Sequence, residues 1–252
     1  MLPNTHAYAT ISITQSTNPL LLYGSIIPDI AATNILPWGI IDQQAENFLS
    51  YLIKKDKKLK NFGLGICLHE LPIGIDRFTH TSYNGKTGYA YYWAKRFLLK
   101  QPYLLLAGKK ALTIAHNFIE SGVEYHILQE SPETQQLIKK IVKKININQI
   151  SRHLALFFKL DKQKTFEAFH TYNKAILDHD YSTIQGLTNF WHELITATGK
   201  NISKQKIESF IKTAITITKP TYKKFITDAI QQSTKDYKKF IQQHQEDYFS
   251  LQ

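Results

Sequence analysis

Residues 65–80 read Gly-Ile-Cys-Leu-His-Glu-Leu-Pro-Ile-Gly-Ile-Asp-Arg-Phe-Thr-His. Most of these side chains are apolar, and His69, Asp76 and His80 stand at i, i+7 and i+11. With about 3.6 residues per helical turn, those positions share one face. Two imidazoles and a carboxylate facing one way are metal-ligand chemistry. Pro72 interrupts the stretch, because proline lacks a backbone donor and kinks or breaks a helix. The expectation is a helix bent or broken at Pro72, with the bend turning the three groups toward a single point.

Outward from this stretch the helical period persists. The chain has 252 residues, 43% of them hydrophobic, with only 11 Gly and 8 Pro. Apolar positions at helical spacing over long reaches predict an all-α fold in one multi-helix domain. Upstream, Asn18-Pro19 marks a turn and Leu20–Ile30 is an apolar segment. Asp42 is placed to cap a helix striped by Ala45, Phe48, Leu49, Leu52 and Ile53, which closes in the basic run Lys54–Lys60. Downstream, residues 81–88 form a polar loop, and Leu104–Val123 reads as a long apolar helix stopped by Gly122. Residues 1–130 form a candidate metal-site region. Residues 131–252 continue as helices near 131–145, 148–160, 163–178, 183–198, 202–217 and 220–250, packed into the same domain. Lys-Lys-Phe-Ile recurs at 223–226 and 238–241, which marks an amphipathic stripe.

The net charge is +11, from 31 Lys and Arg against 20 Asp and Glu. Such a surface favours anionic partners: a phosphate-containing substrate, nucleic acid or an acidic membrane face. Cys67 is the single cysteine, so no disulfide forms within the chain, and it reads as a small core residue. No apolar run reaches the ~18 residues needed to span a bilayer. The first residues lack the basic and apolar regions of a signal peptide, and a cytoplasmic location is expected.

The familiar phosphate-loop, dinucleotide, nucleophile-elbow, HExxH and CxxC motifs do not occur. What remains is a scattered set: His6, Asp29, His69, Asp76, His80, His116 and Glu120. Each lies in or beside an apolar segment, where an unpaired polar group is costly. Such a set suits zinc, in one to three ions. His116 and Glu120, four apart on one helix, share a face. His192-Glu193 after Trp191 is a weaker candidate outside the set.

The order of four pieces carries a resemblance: Thr5-His6, then Gly-Ser-Ile-Ile-Pro-Asp at 24–29, then residues 64–80, then Ala-His-Asn-Phe-Ile-Glu-Ser-Gly at 115–122. Over roughly residues 1–125 the chain resembles the bacterial zinc-dependent phospholipase C-like family, part of a helical group that includes zinc-dependent single-strand nucleases. The resemblance implies the phospholipase C-type helical fold, with additional helices after it. It makes His6, Asp29, His69, His80, His116 and Glu120 metal ligands. It makes Asp76 a ligand or a carboxylate orienting an imidazole, and gives Asp29 a catalytic role as base on the attacking water. Where the family pattern has an acid four residues after His69, this chain has Ile73.

The implied function is hydrolysis of phosphoesters, with a metal-bound water attacking phosphorus. The alternative is a non-enzymatic basic helical protein. Its nucleic-acid or acidic-membrane surface would come from the interleaved bases and aromatics at 219–225 and 235–240.

Overall fold

The computed structural model describes residues 2–33, 35–81, 87–197, 199 and 201–244. Thirteen α-helices and no strand occur among them. The first half supplies α1 (Pro3–Thr14), α2 (Pro19–Ile26), α3 (Ala45–Lys55), α4 (Lys60–Cys67), α5 (Asp76–His80), α6 (Tyr89–Lys100) and α7 (Ala111–Glu130). The second half supplies α8 (Glu133–Lys144), α9 (Ile147–Phe158), α10 (Lys162–Asp178), α11 (Ile184–Ala197), α12 (Lys204–Thr218) and α13 (Tyr222–Gln243). The predicted all-α fold is thus present, and the C-terminal helices start and stop close to the expected positions. Asn146, Asp161 and Ser203 cap α9, α10 and α12 by accepting hydrogen bonds from Gln149, Lys164 and Lys206 N–H. One apolar core runs from Leu2 to Phe240, so the two halves bury their apolar faces against each other.

Helices α2 and α4 touch backbone to backbone. A Cβ on Gly65 would sit 2.1 Å from the Leu21 carbonyl oxygen, and one on Gly24 2.1 Å from that of Phe62. This contact sets the spacing between the segment leading to Asp29 and the segment leading to His69. Helix α7 crosses the centre, packed between α6 and α12 and against α1.

Three local expectations are corrected. Gly122 does not stop a helix. It lies mid-way along α7, where a Cβ would come within 2.8 Å of the Ala214 carbonyl oxygen on α12, so glycine here permits close helix packing. The expected single helix from Leu104 is instead a 3-10 segment, Pro102–Lys110, followed by α7. Within that segment Gly108 has φ 58°, which ordinary side chains rarely adopt. Asp42 does not cap α3; it lies in a 3-10 turn, Asp42–Gln44, and faces the site described below. The polar loop at 81–88 falls largely on residues 82–86, outside the described residues.

The aromatics at 219–225 and 235–240 are mainly packing groups. The Phe225 ring stacks on Tyr89 at 4.1 Å and Phe240 is buried. The Tyr222 ring stacks on His126, and its hydroxyl donates to Glu130. The amphipathic stripe marked by the repeated Lys-Lys-Phe-Ile is therefore a core face.

The α2–α4 contact makes a direct prediction. Gly65→Ala forces backbone apart and is expected to lower unfolding free energy by about 3 kcal/mol in denaturant titration. A loss near zero would show that the contact is not fixed.

Candidate metal centre

All seven candidate residues converge. His6, Asp29, His69 and Asp76 form one group and His80, His116 and Glu120 another; within each, one ligand atom per residue lies within 4.8 Å of the rest. The groups adjoin, because the Asp76 Oδ2–His80 Nδ1 distance is 3.8 Å. Each group could hold a metal ion.

The delivery of each side chain has a local cause. His6 sits on the second turn of α1, whose first turn is held by Glu124 of α7. The buried Glu124 carboxylate accepts hydrogen bonds from the backbone N–H and side chain of Asn4 and of Thr5, at 2.6–3.0 Å. A carboxylate is the favourable partner for the free N–H groups and positive dipole end of a helix start. Asp29 lies on the 3-10 segment Ile27–Thr33 that follows α2. His116 and Glu120 project from successive turns of α7, their nitrogen and oxygen 3.7 Å apart.

The chain between α4 and α5 behaves as Pro72 predicts. Helix α4 ends at Cys67, the Leu71–Pro72 peptide is cis, and α5 begins at Asp76. The Asp76 N–H donates back to the His69 carbonyl at 3.1 Å, closing a tight loop. His69, Asp76 and His80 thus meet across a turn, not along the face of one straight helix. Asp76 is the carboxylate at the middle of this turn. Its Oδ2 lies 3.7, 3.5 and 3.8 Å from ring nitrogens of His6, His69 and His80. Arg77 braces α5, donating to the Pro72 carbonyl and pairing with Asp236 of α13.

Within the first group the nearest donor atoms are 3.5–3.8 Å apart. That is too long for hydrogen bonds and close to the ~3.3 Å edge of a tetrahedron built on 2.0–2.1 Å bonds. Both ring nitrogens of His6, Oδ2 of Asp29 and Nδ1 of His116 are buried without a hydrogen-bond partner. The His69 Nδ1–H donates to the Ser25 carbonyl at 2.9 Å, leaving Nε2 as a lone pair aimed at Asp29 and Asp76. Orphaned buried atoms, a fixed tautomer and ligand-type spacing together fit a cation.

Burial and close mutual charges shift the ionisation of every group in the cluster. Burial, and then the neighbouring His69, hold His6 well below its ordinary pKa. Burial pushes Asp29 up to about 7. Burial would also raise Asp76 and Glu120, but nearby positive charge outweighs it. His80, His6 and His69 are part of the charge that holds Asp76 well below the carboxylate range, and His116 and His80 part of that which brings Glu120 to about 2. Burial works to lower His80, yet Asp76, Glu120 and Glu70 override it and push its pKa up to about 11.

Four contributors lay outside the candidate set. Glu70 Oε1 is 3.6 Å from His80 Nδ1, Asp42 raises the His69 pKa, the Tyr91 ring stacks on His116 at 4.5 Å, and Glu124 anchors α1. Glu124 had a legible signal, one helical turn beyond Glu120 on the same face; Asp42 and Tyr91 had none. His192 is absent from both groups, and its neighbour Glu193 pairs with His179 at 3.1 Å. Asp29, His80, His116 and Glu120 line one end of a cavity of about 790 Å³ whose remaining wall is largely apolar, including Leu104, Phe118, Tyr172 and Trp191.

No family model matches the chain, and no curated protein or solved structure is significantly similar to it.

Two outcomes test this geometry. Glu124→Ala strands the donors of the first turn of α1. It is expected to cost about 3 kcal/mol of stability and to weaken metal retention; unchanged stability would show that something else holds α1. The raised His80 pKa means that its imidazolium stabilises the metal-free fold fully below the ordinary value of 6.5 and ceases to as pH rises through about 11. Metal must displace that proton, so affinity rises with pH. At pH 8, calorimetry in buffers of differing ionisation heat should show roughly one proton released on loading at this group. Buffer-independent heats would contradict a protonated His80.

Proposed function

We propose that the chain is a zinc-dependent hydrolase of phosphoesters with the phospholipase C-type helical fold that its motifs resemble. The convergence of all seven residues into two adjoining ligand groups at the end of one cavity carries this reading. Imidazole nitrogens and carboxylate oxygens, three or four to a group, suit zinc. His6, Asp29, His69 and Asp76 would hold one ion, and His80, His116 and Glu120 a second. Bound there, the metal supplies an activated water and neutralises charge on the phosphoryl oxygens.

The chain's own side chains do the rest. Asp29 belongs to the first group and also lines the cavity, so it faces both water and substrate. A carboxylate beside the ion and open to the cavity is placed to accept the proton of the attacking water, which fits a general base. Asp76, 1% exposed, has no such access and serves to hold the imidazoles around it. The Leu104, Phe118, Tyr172 and Trp191 wall favours a phosphoester with a substantial apolar body and excludes water around it.

Elemental analysis of protein purified without an affinity tag should find at least one equivalent of zinc, lost in His69→Ala and in His116→Ala. Asp29→Asn should lower turnover of a chromogenic phosphodiester by 100-fold or more. Metal-free protein whose melting temperature ignores chelators would overturn the reading.

A further inference from the structure

The stretch around the 3-10 segment Pro102–Lys110 is unlike the rest of the surface. Eight large apolar side chains are well exposed among the described residues, and four of them, Leu99, Tyr103, Leu105 and Leu106, fall within eight positions. Leu99 and Leu106 are 83% and 80% exposed. Singly scattered apolar side chains need no explanation; a cluster does. Of the three consecutive leucines only Leu104 turns inward, so among the described residues the segment keeps an outer apolar face largely open to solvent. Exposed Trp38 lines the same cavity as Tyr103 and Leu106, which places this face at the cavity mouth.

Cations outnumber acids around the face; Glu208 of α12, which shares a surface pocket with Lys100, is paired with Lys212. No Asp or Glu occurs between Asp76 and Glu120, while Lys95, Arg96, Lys100, Lys109 and Lys110 are all present and exposed. Lys206 of α12 adds a further cation, its Nζ 3.0 Å over the Tyr103 ring.

We propose that this face, Leu99, Tyr103, Leu105 and Leu106 ringed by lysines, docks the protein on an anionic lipid bilayer. Leucines enter the headgroup–acyl boundary, and lysines stay among anionic headgroups, each worth about fivefold in binding. Single-stranded nucleic acid fits less well, because three of the four side chains are leucines, which offer bases no ring to stack on, and the Tyr103 ring is covered by Lys206. The docking rests on the hydrolase reading only in that the cavity mouth then faces lipid; the contact itself needs no metal.

The test is co-sedimentation of the full chain with large vesicles of phosphatidylcholine, with and without phosphatidylglycerol. Binding should be at least tenfold tighter to the anionic vesicles. Leu99→Ser with Leu105→Ser should weaken it at least tenfold, as should Lys109→Glu with Lys110→Glu. Leu156→Ser, at an exposed leucine of α9, should change nothing. None of these residues is buried, so melting temperature should hold throughout. The proposal is overturned if wild type ignores anionic vesicles or if the double leucine variant binds like wild type. It is equally overturned if that variant instead abolishes self-association or nucleic-acid binding. Zinc content and turnover of a soluble phosphodiester, read on the same samples, separate the two claims. Lost docking with both retained leaves the hydrolase reading standing, and docking by a zinc-free, inactive protein removes that reading alone.

Discussion

The four hydrogen bonds from Asn4 and Thr5 to the buried Glu124 carboxylate hold together two parts of the chain that are far apart in sequence. Through them the start of α1 is seated on the helix that carries His116 and Glu120. The arrangement is mutually stabilising. A buried carboxylate is tolerable only when it is well hydrogen-bonded, and a buried helix start is tolerable only when its N–H groups find acceptors. Once α1 is seated, His6 stacks on His69 at 3.9 Å and both imidazoles face Asp29 and Asp76.

Apart from His116 and Glu120 on α7, the rest of the centre is assembled where helices break or end. Asp29 lies on a 3-10 segment, His69 in the turn after α4, and Asp76 and His80 at the two ends of the short α5. A regular helix would spread these groups along its length. The turn at Pro72 folds the chain back so that Asp76 Oδ2 lies within 3.8 Å of three imidazoles. The Gly24–Gly65 contact keeps the Asp29 and His69 segments at the separation this requires.

The second half of the chain contributes walls and braces. Tyr172, Tyr181, Phe190 and Trp191 line the cavity, and the Tyr172 hydroxyl ties α10 to the Ile26 carbonyl just before the Asp29 segment. Asp236 of α13 pairs with Arg77, the residue next to Asp76. These helices complete the apolar core and hold the metal-site segments from outside. No helix among the described residues is long and apolar enough to cross a membrane.

The sequence by itself determined the all-helical class, the positions of the C-terminal helices and the break at Pro72, and it singled out the seven residues that converge in space. Period, proline chemistry and the cost of burying unpaired His, Asp and Glu are local properties, readable one segment at a time. The tertiary structure decided what depends on distance between segments. It made Asp76 central, turned Gly122 from a helix stop into a packing contact, and brought in Asp42, Glu70, Tyr91 and Glu124. It buried the C-terminal aromatics and left the leucines near Pro102 exposed. An apolar side chain looks the same in sequence whether a neighbour covers it or not, because burial is a property of what the rest of the chain packs against it.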